Sequence, residues 1–300
     1  MVAFVLGRAF PAEMAGLDPP SAPVRAFVDE LRDLGWVEGQ TISLEVLSVD
    51  GDPKRAPAAI AGLVSRRVDV IALGGARWLH DAALGATRTT PLVTIFQDDP
   101  VAAGLIASLA RPGGNLTGVA QTTGADFFRK RLQLLKEIAP QTSRIAFLGP
   151  RGVLEQDRQV AAAAGTTIVP VPVDVVDQLD AAFDAIRRER VDGLMVAGSA
   201  ITYSNVARVV DFAAESRLAT MHAFREAVAA GGLISYGTSI PDIFRQLARF
   251  TDRILKGAKP RELPTERAST FELAINVKTA KALGLQVPPT MIALADEVIE

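Results

Sequence analysis

Short runs of valine, isoleucine and leucine alternate with helical patterns along most of this chain. The first run, VAFVLG at residues 2–7, precedes a segment at 22–35 whose apolar residues recur at helical spacing. The same pairing repeats three more times before residue 110. Because these runs are apolar on both faces, they are typical of strands in a parallel sheet that is covered by helices. The pattern predicts an α/β fold.

The pattern starts again near residue 120. An amphipathic segment at 125–140 is followed by five further apolar runs with helical patterns between them. A helix is predicted over 241–257, and the segment 269–285 predicts a late strand that leads into a short helix. Two doubly wound parallel-sheet lobes fit this number of strands better than one open sheet. We expect lobe 1 to hold residues 1–120 and 240–268, and lobe 2 to hold residues 121–239 and 269–300.

No long linker separates the strand patterns, so the two lobes are expected to be joined closely. From the strand restarts we expect the three crossing segments near 119–122, 237–240 and 268–272. The stretch that leads to the first crossing begins with Asp98 and Asp99 at a strand end and predicts a helix that starts near Pro100. Since adjacent residues on an extended chain point opposite ways, one acid should face the cleft and the other should cap that helix.

Composition argues against several functional classes. The net charge of −2, with both signs spread along the chain, gives no indication of nucleic-acid or anionic-membrane binding. The chain has no cysteine and only two histidines, His80 and His222, which argues against a zinc or His-rich metal site. No apolar run reaches the ~20 residues of a membrane span. The chain does not open with a secretory leader pattern, so the leader of an exported protein would be absent here.

The motifs of common cofactors and nucleophiles are not found. There is no G-x-G-x-x-G after a strand, no Walker lysine and no G-x-S-x-G elbow. We therefore expect no cofactor, no metal and no catalytic residues, and we interpret both histidines as structural. The loops after the strands are the remaining candidates, because parallel α/β lobes bind ligands at the carboxyl ends of their strands.

Aromatic residues and arginines recur in these loops. An aromatic-lined cleft with a few fixed polar groups is how proteins hold small organic ligands. The candidate ligand-binding residues are Arg8, Phe10, Gly75, Ala76, Arg77, Gln97, Asp98, Gln121, Thr122, Arg151, Ser199, Ala200, Tyr203, Phe224, Glu226 and Tyr236.

The segment GGARW, residues 74–78, opens a helix directly after a strand. The amides of Gly75, Ala76 and Arg77 are expected to be unpaired within that helix and to hold a carboxylate. Together with the arginines, this favours a small organic acid or amino acid, and an aromatic one, over a neutral sugar.

Several longer stretches carry a family resemblance over nearly the whole chain. They include LRDLGWVEGQTISLE at 31–45, DPVAAGLIASLARPGGNLTGV from residue 99, and FELAINVKTAKALGLQVPPTMIALADEVIE at 271–300. With these stretches the chain resembles bacterial ABC-transporter substrate-binding proteins of the tryptophan/tyrosine type. The resemblance implies a type I periplasmic-binding fold that closes on its ligand by hinge motion.

The resemblance also implies a periplasmic or extracytoplasmic monomer that binds a small-molecule ligand and docks on the membrane permease subunits of an ABC importer. Where relatives often carry an Asn-rich loop, this chain has GPRGVLE with Arg151, so the solute does not follow from the family name. Two alternatives stay open at this point. One is an α/β enzyme with Asp98 or Glu226 as a base, and the other is a ligand-sensing domain of the same fold.

Overall fold

The computed structural model describes residues 1–6, 22–49, 52–97, 99–121, 125–150 and 155–300. The chain divides into two compact units. The first unit holds Met1–Thr122 and Ile240–Ser269, and the second holds Thr123–Ser239 and Thr270–Glu300.

The first unit is a parallel sheet with helices on both faces. Its elements are β1 (Val2–Leu6), α1 (Ala22–Asp33), β2 (Leu44–Ser48), α2 (Ala56–Ser65), β3 (Val70–Leu73), α3 (Arg77–Ala86), β4 (Leu92–Phe96), β5 (Leu116–Ala120), α10 (Ile240–Leu255) and β11 (Glu266–Arg267). The strand order is β11-β5-β4-β3-β1-β2, and every neighbouring pair is parallel.

The all-apolar strands of the first unit follow from burial on both faces. In β1 the Phe4 ring contacts Phe27 of α1 (centroids 4.8 Å apart) and Phe244 of α10 (5.6 Å). Ala3 and Val5 point to the opposite face and belong to the cluster that α2 and α3 cover. A strand between two helical layers has no solvent face, so alternation with polar residues is not expected.

The second unit repeats this plan with a larger sheet. Its elements are α4 (Ala125–Ile138), β6 (Arg144–Gly149), α5 (Glu155–Ala163), β7 (Thr167–Pro172), α6 (Leu179–Arg188), β8 (Gly193–Val196), α7 (Ala200–Ser204), α8 (Val206–Glu215), β9 (Ala219–His222), α9 (Arg225–Ala229), β10 (Ile234–Thr238), β12 (Phe271–Asn276), α11 (Val277–Leu283), α12 (Pro289–Leu294) and β13 (Glu297–Ile299). The strand order is β13-β12-β10-β9-β8-β6-β7. Here the all-parallel expectation is wrong for one pair, because β12 runs antiparallel to β10.

The helix expected near Pro100 is also wrong. Residues 100–104 form a turn, in which the Ala103 N–H donates to the Asp99 carbonyl at 2.9 Å. Gly104 has a φ of +69°, which ends the turn before a helix can continue. The Asp99 carboxylate accepts from the N–H groups of Val101 (2.9 Å) and Ala102 (3.1 Å) and so caps this turn. Asp98 lies outside the described residues.

Candidate functional site

The carboxyl ends of β3 and β4 meet at one edge of the first sheet. The Gly74 N–H donates to the Val5 carbonyl (2.9 Å), so the chain leaves β3 in sheet geometry before α3 begins. A Cβ at Gly75 would lie 3.0 Å from the Ile95 carbonyl oxygen and 3.2 Å from Gln97 Cγ. A side chain at position 75 would therefore press on Gln97 and on the Ile95 carbonyl, and glycine avoids this contact.

Gly75 and Gln97 line a small recess beside the first turn of α3. The other lining residues are Arg77, His80, Phe96, Ala103 and Leu105, and the cavity measures about 20 Å³. A space of this size holds roughly one water molecule. The recess is lined by polar side chains such as Gln97 and by the buried ring of Phe96.

Two of the three amides expected to hold a carboxylate, those of Ala76 and Arg77, differ in their hydrogen bonding. The Ala76 N–H already donates to the Gly74 carbonyl at 2.9 Å, so it is engaged in a turn. Arg77 is the first residue of α3, and first-turn N–H groups have no partner within their helix. The Arg77 side chain pairs along the helix with Asp81 (Nε to Oδ1 3.0 Å), and both side chains are more than half exposed. Exposed pairs of this kind contribute little free energy, so the Arg77 side chain is easily redirected.

The carboxyl ends of β8 and β9 bring three of the predicted residues together in the second unit. The Tyr203 ring meets the Phe224 ring edge to face, with centroids 5.2 Å apart. The Tyr203 hydroxyl donates to Glu226 Oε1 at 3.4 Å. Glu226 Oε2 is buried and has no hydrogen-bond partner among the described residues. We call Tyr203, Phe224 and Glu226 the aromatic–acid cluster.

Burial dominates the electrostatics of the aromatic–acid cluster. It raises the pKa of the Glu226 carboxyl, and the nearby charge of Glu272 adds to that rise, while Arg225 opposes it. Burial also raises the pKa of Tyr203, with the negative charge of Glu226 as the second cause. The Tyr203 hydroxyl therefore stays protonated and available as a donor at physiological pH.

Other predicted residues have local structural partners. Ser199 is buried and caps α7, because its hydroxyl accepts from the Thr202 N–H at 3.1 Å. Ala200 follows it as the first residue of α7 and is exposed. The Gln121 N–H donates to the Phe96 carbonyl (2.8 Å) and prolongs the pairing of β4 with β5. The predicted residues Arg8, Phe10, Asp98, Thr122 and Arg151 lie outside the described residues.

Tyr236 belongs to a second aromatic group that sequence reasoning missed. Its ring contacts Phe127 (5.6 Å) and stacks on Phe271 (5.8 Å), and these two rings lie 5.7 Å apart. Each of the three residues lies within five positions of a boundary between the two units. The sequence gives no local signal for the group, because its members lie more than 30 residues apart.

Sequence reasoning also missed Arg131, a buried arginine on α4. Its Nη2 donates to the carbonyls of Val196 (2.7 Å) and Met221 (3.3 Å), and its guanidinium carbon lies 5.9 Å from the centre of the Phe127 ring. Arg131 thus places a positive charge at the ends of β8 and β9. The periodic pattern of α4 was visible in the sequence, but the acceptors lie 65 and 90 residues away.

Both histidines are buried and neutral. Burial is the main cause that lowers the pKa of His80 to about 4; Arg77 also lowers it, while Asp81 and the Ile95 backbone carbonyl act in the opposite direction. Burial, with the positive charge of Arg131 as the second cause, lowers the pKa of His222 to about 3. No group of three potential metal-ligating side chains occurs within the part of the chain that the structure describes.

A larger cavity of about 1020 Å³ lies at the opposite edge of the first sheet. Its lining includes Met1, Val70 and Leu116, which stand at the starts of β1, β3 and β5. Ligands of parallel α/β folds bind at the carboxyl ends of the strands, where helix N-termini present free N–H groups. We therefore place the candidate binding residues of each unit at the carboxyl ends of its own strands, which carry the recess in the first unit and the aromatic–acid cluster in the second, although both spaces are smaller than this cavity.

Comparison with known proteins defines the class. The family model for ABC transporter substrate binding proteins matches residues 18–299, and the chain belongs to this family. The fold is that of type I periplasmic binding proteins. Members of the family bind substrates and are not enzymes, which removes the enzymatic alternative. Among the described residues, no helix has the length and apolar character needed to cross a membrane.

Particular relatives agree with this class. A tyrosine-binding protein of Clostridioides difficile strain R20291 is 24% identical over 268 residues, which cover 87% of this chain and 76% of that protein. The structure of an ABC domain from Streptococcus pneumonia in complex with L-Trp has a TM-score of 0.88 at 23% identity and covers 99% of both chains. A conserved domain protein from Vibrio cholerae has a TM-score of 0.87 at 25% identity, with 99% of this chain and 98% of that chain covered.

Proposed function

We propose that this protein is the extracytoplasmic solute-binding subunit of an ABC importer and that it captures an aromatic amino acid or a closely related organic acid. The observation that carries the proposal is the aromatic–acid cluster, which places two rings and a carboxylate at the carboxyl ends of β8 and β9. Rings give a flat apolar surface for an aromatic solute, and a carboxylate gives a partner for an ammonium group.

The relatives support the same class of solute. One is a tyrosine-binding protein and another was crystallised with L-Trp. A solute of this kind has a carboxylate, an ammonium group and a ring. The first-turn amides of α3 suit the carboxylate, because the positive end of a helix dipole favours an anion there.

Capture is proposed to proceed by closure of the two units on the solute. The chain passes between the units at 122/123, 239/240 and 269/270, and three such crossings provide a hinge. A solute that contacts both units favours the closed state by its difference in affinity for the two states. An affinity near micromolar corresponds to about −8 kcal/mol. The captured solute is then delivered to the permease subunits of the transporter.

Two measurements test this proposal. Mass spectrometry of solute retained through purification under native conditions should detect an aromatic amino acid or acid, and calorimetry should give saturable binding of L-tryptophan or L-tyrosine. Binding of neutral sugars alone would contradict the proposed solute class. Small-angle X-ray scattering should show a smaller radius of gyration at saturating solute, and an unchanged radius would contradict hinge closure.

A further inference from the structure

His80 is one of the residues that line the recess beside α3. His80 is 2% exposed, and its Nε2 lies 2.8 Å from Thr94 Oγ1. The Thr94 hydroxyl donates its only hydrogen to the Leu73 carbonyl at 3.3 Å. With that hydrogen used, we assign the Thr94 oxygen as the acceptor from His80, which puts the imidazole hydrogen on Nε2 and leaves Nδ1 as an acceptor.

His80 Nδ1 is buried and has no hydrogen-bond partner among the described residues. It belongs to a residue that lines the recess together with Gly75, Arg77 and Gln97. An unpaired buried acceptor is costly, so a donor is expected next to it. This observation is independent of the helix N-terminus that forms the other side of the recess.

The chemistry of the recess selects a neutral group. A carboxylate in direct contact with Nδ1 would set two acceptors against each other. An ammonium group would face the positive end of the α3 dipole. Water fits, because it both donates and accepts and because the cavity of about 20 Å³ has room for one molecule.

We propose that this recess holds one ordered water molecule, anchored by His80, through which the protein recognises the carboxylate of its solute. The inference rests on the proposed function and deepens it. One water hydrogen is donated to His80 Nδ1, and the water oxygen accepts from a first-turn amide of α3. The second hydrogen is left for the solute and needs an acceptor. His80 is thus a positioning residue that favours a carboxylate over groups that only donate.

The ligand-free protein allows a direct test, because the chain has only two histidines. A long-range ¹⁵N–¹H correlation spectrum should show His80 as the Nε2–H tautomer, with the Nδ1 signal shifted by an accepted hydrogen bond. His222 serves as the internal reference in the other unit. A crystal structure at high resolution should show the water within hydrogen-bond distance of Nδ1. An Nδ1–H tautomer that donates to the nearby Ile95 carbonyl, or a dry recess, would overturn the proposal.

Two variants at the same position test the role in recognition. His80→Leu fills the site without an acceptor, whereas His80→Gln keeps a side-chain oxygen. We expect His80→Leu to bind L-tryptophan about tenfold more weakly with unchanged affinity for tryptamine, which lacks the carboxyl group, and His80→Gln to stay within about threefold of the wild type for both. Equal losses for tryptophan and tryptamine, or an unchanged affinity for tryptophan, would show that His80 acts only in packing.

The outcomes separate this inference from the proposed function. If the wild-type protein binds neither tryptophan nor tryptamine, the proposed solute class fails. The tautomer of His80 and the water in the ligand-free protein then still decide whether the recess holds an ordered water. If tryptophan binds and the spectrum shows the Nδ1–H tautomer, the function stands and the water-mediated contact fails. Thermal unfolding shows whether His80→Leu folds. If it does not, the affinities of His80→Gln and the ¹⁵N–¹H spectrum of the wild type decide between water-mediated recognition and packing.

Discussion

The recess of the first unit and the aromatic–acid cluster of the second lie at equivalent positions in two similar sheets. Each follows a buried parallel strand, β3 or β8, and each has a glycine two residues after the end of that strand. A Cβ at Gly75 would press on the polar side chain of Gln97 (3.2 Å), whereas a Cβ at Gly198 would press on the Phe224 ring (2.9 Å to Cζ). The same backbone plan thus supports a polar recess in one unit and an aromatic surface in the other.

The two regions differ in charge as well as in shape. The described residues that line the recess include no acid, and His80 there is neutral. The cluster carries Glu226, whose pKa is raised by burial, next to a tyrosine that remains protonated. Amides and a neutral imidazole suit a carboxylate, whereas rings and a carboxylate suit an aromatic amine, so similar backbones support different recognition chemistry in the two units.

The largest expected effect compares the two histidines through the pH dependence of stability. Each is neutral in the native state, but in the unfolded chain each binds a proton below pH 6.5. Stability is therefore fully present above pH 6.5 and falls as the pH drops, down to about 4 for His80 and about 3 for His222. The losses amount to roughly 3 and 5 kcal/mol, at 1.36 kcal/mol per pKa unit.

Urea unfolding between pH 7 and pH 3 measures this effect. His222→Gln and His80→Gln should each flatten the curve of unfolding free energy against pH, and His222→Gln should flatten it more. The slope is the readout, since the substitutions also change packing. A slope unchanged from the wild type would mean that the histidine binds its proton at the same pH in the native and the unfolded protein, and it would remove the contrast between the two units.

The next effect concerns the acids at the end of β4. If the solute is an amino acid, Asp98→Asn should weaken its binding roughly tenfold or more, because loss of a charged partner costs about 1.5–3 kcal/mol. A simple aromatic acid should bind nearly as before. Asp99→Asn is the matched control, since its carboxylate caps the turn at Val101 and Ala102. Calorimetry that finds no change for either variant would assign recognition of the ammonium group to the second unit.

Gly198→Ala should produce a smaller loss confined to the aromatic surface. The new Cβ would displace the Phe224 ring by a few tenths of an ångström and disturb its contact with Tyr203. We expect about fivefold weaker binding of an aromatic amino acid, near 1 kcal/mol. Gly62→Ala is the control, because a Cβ there meets no atom within 4 Å. Equal affinities of the two variants in calorimetry would show that the ring does not contact the solute.

The smallest expected effect is that of Tyr203→Phe. The ring and its edge-to-face contact are kept, and only the long 3.4 Å hydrogen bond to Glu226 is lost. We expect less than a twofold change in affinity and a loss of at most about 1 kcal/mol in the free energy of unfolding. A tenfold loss of affinity would show that the hydroxyl itself donates to the solute.

The amino-acid sequence by itself determined the fold class. Strands such as β1 and β6 are recognisable because burial on both faces requires runs of apolar residues, and helices such as α4 because one buried face imposes a period of 3.6. The position of the strand-end loops follows from the same patterns, so Gly75, Tyr203, Phe224 and Glu226 could be chosen before any contact was known.

Only the tertiary structure decided which of these residues meet. The sheet order places the Gln97 side chain next to Gly75 and the Glu226 carboxylate within reach of the Tyr203 hydroxyl. It also lets the Arg131 guanidinium donate to carbonyls of two strands. It also replaces the helix expected near Pro100 by a turn that Gly104 ends. The physical reason is that periodicity reports which face of a segment is buried, whereas a contact between distant segments depends on strand order and on the space that neighbouring side chains leave.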